Sequence, residues 1–160
     1  MKAILSILFC AFTIATFAQT WEHIIGEPNR PEAFQNFCES YDQGFLLLGI
    51  KEFYPDTKGY LVKTDINGFP LFEVTFGVST EQRNVPQYIS STSDGGVIIC
   101  GAHENWSSYG DVGIIKLDAC GDLVWCKIWR TDNLTDWGKE IHQLDDGGYI
   151  MMVQRNEEDT

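Results

Sequence analysis

The sequence predicts an all-β fold built from repeated four-stranded antiparallel units. A motif of Asp, one variable residue and Gly, followed by an apolar run, occurs three times at a constant step of 52 residues. A second motif of Lys, Asp and Gly follows the first motif twice, at a step of 53 residues. No segment after the N-terminal leader has the 3.6-residue apolar period of an amphipathic helix.

The first motif predicts the turn between the first and second strands of each unit. Asp favours turn positions, Gly accepts a positive φ, and the continuous apolar run that follows suits a strand buried on both faces. The first copy departs from the other two because Gln43 stands in the place of a Gly. The motif residues are Asp42, Gly44, Asp94, Gly95, Gly96, Asp146, Gly147 and Gly148.

The second motif predicts the hairpin turn between the third and fourth strands. Lys63 in its first copy is equivalent to Lys116 in its second copy, and Trp125 lies in the strand that follows the second copy. The turn residues are Asp65, Gly68, Asp118 and Gly121. In the middle unit the predicted strands are 87–92, 97–102, 112–117 and 123–129, with a polar loop over 103–111.

Four antiparallel strands per unit of about 52 residues fit the blade of a β-propeller. Residues 19–160 then form a partial propeller of about 2.5 blades; a β-solenoid or an irregular sandwich is the alternative. Since a closed propeller needs roughly four to eight blades, we expect a truncated or partial sequence, or closure by self-association through open blade edges. The predicted parts are an outer strand over 19–27, blades over 34–77 and 84–130, and an incomplete blade over 137–160.

Residues 1–18 have the layout of a cleaved secretory signal peptide. Lys2 precedes an apolar run over 3–17 that is shorter than the roughly 20 residues of a spanning helix, and small residues follow it. We therefore expect an exported protein, extracellular, on the outer cell surface or periplasmic, with no integral membrane segment after cleavage. Four cysteines remain after cleavage, and the sequence leaves disulfides and buried free thiols equally open: Cys38, Cys100, Cys120 and Cys126.

The repeated pattern resembles one found in secreted bacterial β-propeller proteins, many of which carry a C-terminal sorting domain. The resemblance covers about 20–160. The residues that carry it are Asp94, Gly95, Gly96, "KLD" at 116–118, Gly121, Trp125, Asp146, Gly147, Gly148 and Tyr149. It implies architecture and export, because most of these proteins have no assigned activity. The stretch "KLDACGDLVWCKIW" also resembles the blade motif of quinoproteins, which implies that Trp125 docks one blade on the next, a role that Phe72 would have in the first unit.

Composition and motifs exclude several chemistries. The formal charge of −12 opposes binding to a phosphate backbone, so no nucleic-acid partner is expected. No catalytic residue, no cofactor and no metal site are predicted. The histidines lack metal-ligand spacing, there is no GxSxG elbow, and Asp65 and Asp118 fit hairpin turns better than calcium loops.

The best candidates for ligand contact lie in the loops between the second and third strands. They are Trp106 and Tyr109, His103 at the start of the same loop, and Tyr54 in the first unit, with His103 expected to be solvated. Aromatic loops on one rim suit binding of a protein or a carbohydrate. The predicted function is a non-catalytic binding module. The alternatives are a purely structural module and a fragment of a propeller enzyme, a quinoprotein-like oxidoreductase or a polysaccharide lyase, with its site in missing blades.

Overall fold

The computed structural model confirms the all-β class and describes residues 22–52, 57–77, 82–105, 110–130 and 135–156. Ten strands form three antiparallel sheets of four, four and two strands, and neighbouring strands follow each other along the chain in every sheet. Sheet 1 contains β1 (Glu32–Glu39), β2 (Phe45–Lys51), β3 (Lys58–Thr64) and β4 (Pro70–Phe76). Sheet 2 contains β5 (Gln82–Ser91), β6 (Val97–Asn105), β7 (Asp111–Leu117) and β8 (Leu123–Trp129), and sheet 3 contains β9 (Thr135–Gln143) and β10 (Tyr149–Asn156).

The core lies between successive sheets, and it is built twice from equivalent positions. In the first interface Leu46 and Leu48 of β2 pack against Ile89, Val97 and Ile99 of sheet 2. The second interface repeats this arrangement 52 residues later. There the packed residues are Ile98 and Cys100 of β6 and Ile141, Tyr149 and Met151 of sheet 3.

A backbone hydrogen bond between sheets also repeats. The amide of Asn84 donates to the carbonyl of Thr57 at 3.4 Å, and the amide of Asp136 donates to the carbonyl of Gly110 at 2.8 Å. Each bond ties the first strand of a sheet to the start of the third strand of the sheet before it. Successive sheets therefore pack with the same relative placement.

The aromatic residue of the fourth strand packs against the following sheet, as predicted for Trp125 and Phe72. The Trp125 ring meets the Tyr149 ring edge-on, with 5.7 Å between centroids. The Phe72 ring lies against Gly121, where an added Cβ would come within 2.8 Å of it. The glycine at this hairpin turn therefore leaves room for the ring of the preceding sheet.

Two sequence-based expectations about strand extent were wrong. The β5–β6 hairpin is longer than predicted, since pairing continues from Val85↔Ala102 through Gln82↔Asn105 and Pro86 is accommodated at a bulge. No strand forms over residues 22–27, the described part of the predicted outer strand. This segment packs instead on the turn of sheet 1, where His23 Nε2 lies 3.0 Å from the Asn67 carbonyl and its ring 4.4 Å from that of Phe69.

No helix long and apolar enough to cross a membrane occurs within the described ranges.

Candidate binding surface at the loop end of the sheets

The antiparallel sheets have two distinct ends. One end carries the short turns between the first and second strands and between the third and fourth strands; we call it the turn end. The opposite end carries the loops between the second and third strands and the connections from one sheet to the next; we call it the loop end. Repeated contacts at the two ends differ in chemistry, and this difference locates the candidate site.

At the turn end, the Asp of the first motif holds a buried lysine from the third strand. Lys63 Nζ donates to Asp42 Oδ1 and to the Thr64 carbonyl, both at 2.7 Å. Lys116 Nζ repeats the arrangement with Asp94 Oδ1 at 3.0 Å and the Leu117 carbonyl at 2.9 Å. We call this arrangement the Asp–Lys clasp.

The clasp is a structural device that depends on glycine. An added Cβ at Gly96 would collide with the Leu117 carbonyl oxygen and lie 2.6 Å from Lys116 Nζ, and Gly44 is enclosed in the same way. Hydrogen bonds from the Thr92 hydroxyl and from Lys116 lower the pKa of Asp94 to about 2. The carboxylate is therefore ionised, as the buried ammonium group requires.

The hairpin turns of the second motif are also structural. The Asp65 Oδ1 accepts the amides of Asn67 and Phe69, at 2.8 and 2.9 Å. The Asp118 Oδ1 accepts the amides of Cys120 and Asp122, both at 2.9 Å. Each carboxylate thus closes its own turn, which is the role that the sequence predicts.

At the loop end, each sheet has a polar pair that joins its first and second strands. In sheet 1 the pair is Glu32 and Lys51, whose Oε1 and Nζ lie 3.1 Å apart as an ion pair without hydrogen-bond geometry. Lys51 Nζ also donates to Glu27 at 3.0 Å and lies 4.8 Å from the centre of the Tyr60 ring. The hydrogen bond from Lys51 lowers the pKa of the Glu27 carboxyl.

In sheet 2 the pair is Asn84 and His103. Asn84 Oδ1 and His103 Nδ1 lie 3.0 Å apart, within hydrogen-bonding distance. His103 is buried in β6, so the expectation of a solvated loop histidine was wrong; the longer hairpin brings it opposite a polar partner. Burial lowers the pKa of His103, the carboxylate of Asp111 opposes that shift, and Arg130 adds to it.

In sheet 3 the pair is Asp136 and Arg155. Arg155 Nε donates to Asp136 Oδ1 at 3.2 Å and Nη2 donates to Oδ2 at 3.4 Å, which is a two-pronged contact. The Asp136 side chain is buried, while that of Arg155 is half exposed. The pair therefore presents a guanidinium group to solvent at the loop end.

The three pairs occupy equivalent positions. The first members, Glu32, Asn84 and Asp136, are 52 residues apart, and so are the second members, Lys51, His103 and Arg155. Each pair consists of directly opposed residues on neighbouring strands. Sequence reasoning named His103 but missed the other five positions because the residue types differ, although the 52-residue step alone could have aligned them.

Two clefts lie between successive sheets and reach the polar pairs of sheets 2 and 3. A cleft of about 340 Å³ runs between β4 and β7–β8 and is lined in part by Phe76, Asn84 and His103. The Nδ2 of Asn84 is buried and has no hydrogen-bond partner within the described part of the chain. A second cleft, of about 580 Å³, lies between β7–β8 and sheet 3 and is lined in part by Trp129 and Arg155.

Three of the four predicted ligand-contact residues lie outside the described residues: Tyr54, Trp106 and Tyr109. The strands on either side fix where their loops emerge. Residues 53–56 connect the end of β2 to the start of β3, and 106–109 connect β6 to β7. The described strand ends that flank these residues lie at the loop end, on the strands that carry the polar pairs.

Side chains suited to metal binding or nucleophilic chemistry are dispersed. No group of three or more His, Cys, Asp or Glu side chains that could hold a metal ion occurs among the described residues. The four cysteines in the described ranges are free; Cys100 is buried, and burial raises the pKa of its thiol to about 12. A thiol with a raised pKa is a poor nucleophile at neutral pH.

A scan of protein-family models finds no match to this chain, and a search of curated proteins finds none either.

Proposed function

We propose that this chain is an exported, non-catalytic β-propeller module that binds a glycan through the loop end of its sheets. The observation that carries the proposal is the contrast between the two ends. The turn end has the same Asp, Lys and Gly contacts in both complete sheets, whereas the loop end has three polar pairs of different chemistry at equivalent positions. A surface that differs between repeats on an unchanging scaffold is suited to recognition.

The repeated sheets support the propeller assignment. Two four-stranded antiparallel sheets follow one another with equivalent cores and equivalent backbone bonds between sheets. The first strands of successive sheets are neighbours, since the Ser91 hydroxyl donates to the Glu39 carbonyl at 2.6 Å and the Ser90 hydroxyl to the Ile141 carbonyl at 2.8 Å. First strands gathered side by side are the arrangement expected around a propeller axis.

The chemistry of the loop end favours a glycan. Sugar rings are recognised by aromatic rings together with planar hydrogen-bonding groups in a cleft. Asn84 lines one of the two clefts, Arg155 offers a half-exposed guanidinium, and Trp106 and Tyr109 lie in the sequence between β6 and β7. The leader over 1–18 supports export to the cell surface or beyond it, where glycans are abundant.

A protein ligand is the second candidate, favoured by the outer strand of sheet 2. Leu123, Val124 and Trp129 of β8 are more than half exposed. A row of exposed apolar side chains on an edge strand is a common feature of protein-binding surfaces. This surface lies on the outer strand of sheet 2, and its Trp129 also lines the cleft that reaches Arg155.

The proposal is tested by glycan-array binding of the chain without residues 1–18. We expect saturable binding to a defined glycan set, and we expect Trp106→Ala to weaken it at least tenfold. Ile66→Ala, an exposed apolar residue at the turn end, is the matched control and should bind like the unchanged chain. Binding that is insensitive to Trp106→Ala, or capture of a protein that competes at β8 in place of any glycan, would refute the glycan assignment.

A further inference from the structure

Sheet 3 contains only the first two strands of the repeated unit in the described residues, and a cavity lies where a third strand would pack. The cavity of about 580 Å³ lies between β7–β8 and sheet 3, with Val112, Ile114 and Trp125 on one wall and Tyr149 and Met151 on the other. The equivalent space between sheets 1 and 2 contains β7. Its Leu117 is buried in the core of the first interface, and Ile115 packs against that core.

The pairing of β7 gives the register that an occupant of this cavity would have. Leu117 lies opposite Val97 and Ile115 lies opposite Ile99 on β6. The residues of β10 equivalent to Val97 and Ile99 are Tyr149 and Met151, which already line the cavity. A strand paired with β10 would therefore place two apolar side chains, two residues apart, inside it.

The outer edge of β10 is open to such a strand. Within the described residues, β10 pairs with β9 alone, while β2 and β6 each pair on both sides. The unpaired amide and carbonyl groups along this edge are a ready template for strand addition.

The turn of sheet 3 supplies a charged receptor for the same strand. Asp146 forms the same kind of turn as the equivalent residues Asp42 and Asp94, and its Oδ1 accepts a hydrogen bond from the Gly148 amide at 2.8 Å. Asp42 and Asp94 each also form an ion pair with a buried lysine from the third strand of their sheet. At Gly148 an added Cβ would meet only the Asp146 side chain, so the space that Lys116 fills beside Gly96 is open here.

We propose that the β10 edge, the cavity and Asp146 together form an acceptor site for an extended peptide strand with the pattern apolar–Lys–apolar–Asp, followed by a hairpin turn. The strand pairs antiparallel with β10, its apolar side chains fill the cavity beside Trp125, and its lysine forms a third Asp–Lys clasp with Asp146. The segment "IIKLD" of β7 and the turn after it has this pattern, and "LVKTD" of β3 has it with Thr64 in place of the second apolar residue.

The occupant is a segment that is not already part of a sheet. A folded second copy of this chain does not qualify, because its own two matching strands are paired on both sides and their apolar residues Leu61 and Leu117 are buried. Withdrawing either strand would break a sheet. The acceptor site therefore selects for an extended, unpaired polypeptide.

A synthetic peptide of residues 58–76, the β3–β4 hairpin, provides a direct test with the full chain. The peptide has no tryptophan and no cysteine, so the fluorescence of Trp125 and Trp129 in the cavity reports its binding. We expect a saturable change in tryptophan fluorescence and slower amide hydrogen exchange along β10. A peptide with Lys63→Met should bind about tenfold more weakly, since it loses a charge-assisted hydrogen bond.

Two variants of the chain make the test specific for the clasp. Asp146→Asn keeps the oxygen that accepts the Gly148 amide but loses the charge, and it should weaken peptide binding about tenfold. Asp145→Asn changes an adjacent exposed carboxylate and should leave binding unchanged. The proposal is overturned if the peptide does not bind, if Lys63→Met and Asp146→Asn have no effect, or if the chain dimerises without peptide and the dimer excludes it.

Discussion

The turn end and the loop end of the same sheets differ in what is repeated from one sheet to the next. At the turn end, sheets 1 and 2 place the same Asp, Lys and Gly in the same contacts, with the lysine ammonium buried. At the loop end, equivalent positions carry Glu with Lys, Asn with His, and Asp with Arg. The repeat therefore keeps the identity of the residues at one end and only the pairing of polar residues at the other.

The difference follows from what each end encloses. At the turn end a lysine ammonium, a carboxylate and a backbone carbonyl meet around a glycine that has no space for a side chain. Such an arrangement accepts no substitute, because a missing partner leaves a buried charge unpaired. At the loop end the pairs of sheets 2 and 3 border clefts, so side chains of different length and charge fit there.

The largest loss of stability should come from adding a methyl group in the space inside the Asp–Lys clasp. Gly96→Ala places a methyl group against the Leu117 carbonyl, which belongs to the backbone and cannot rotate away. We expect a loss of about 3 kcal/mol in the free energy of unfolding, measured by chemical denaturation. Gly148→Ala is the matched control, since its methyl group would meet only the Asp146 side chain, and it should cost less than about 1 kcal/mol. Equal losses for the two variants would argue against the clasp.

The next effect should distinguish the two partners of the clasp. Asp94→Asn leaves the ammonium of Lys116, whose side chain is 3 % exposed, without its counter-charge. Lys116→Met instead leaves Asp94, which is 57 % exposed and can be solvated. We expect losses of about 2 kcal/mol for Asp94→Asn and about 1 kcal/mol for Lys116→Met. A larger loss for Lys116→Met would mean that packing of the lysine stem outweighs its charge.

A smaller effect should come from His103 at the loop end, as a dependence of the unfolding free energy on pH. Burial lowers the pKa of His103, so between that pKa and about 6.5 the unfolded chain binds more protons than the folded chain. The unfolding free energy is therefore unaffected by His103 above about pH 6.5. It decreases as the pH falls from there toward the folded-state pKa, by at most about 1.4 kcal/mol per pH unit. His103→Gln should flatten the profile of unfolding free energy against pH in this range.

The repeat and its turn chemistry were predictable because they depend on residue identity. Asp and Gly are required at fixed positions, and a constant step of 52 made them visible at the turn end. The packing of Trp125 on the next sheet was implied by the resemblance to the quinoprotein blade motif. The turn residues are local, and they recur with one departure, Gln43.

The polar pairs were not predictable from residue identity. Nothing in the sequence near Asn84 shows that it lies opposite His103, and the predicted strand over 87–92 begins later than the observed one. Pairing across the hairpin decides both features, because the bulge at Pro86 allows the ladder to continue to Gln82. The conformation of residues 22–27 was not predictable for a similar reason, because the contacts of this segment with Asn67 and Phe69 are tertiary.

The central claim is that the loop-end pair is interchangeable between repeats and the clasp is not. It is tested most directly by chemical denaturation of the double variant Asn84→Asp, His103→Arg, which gives sheet 2 the pair of sheet 3, beside Asp94→Asn. The cleft of about 340 Å³ beside His103 offers room for the longer side chain. We predict that the double variant stays within about 1 kcal/mol of the unchanged chain and is more stable than Asn84→Asp alone. A double variant that loses as much stability as Asp94→Asn would contradict the account.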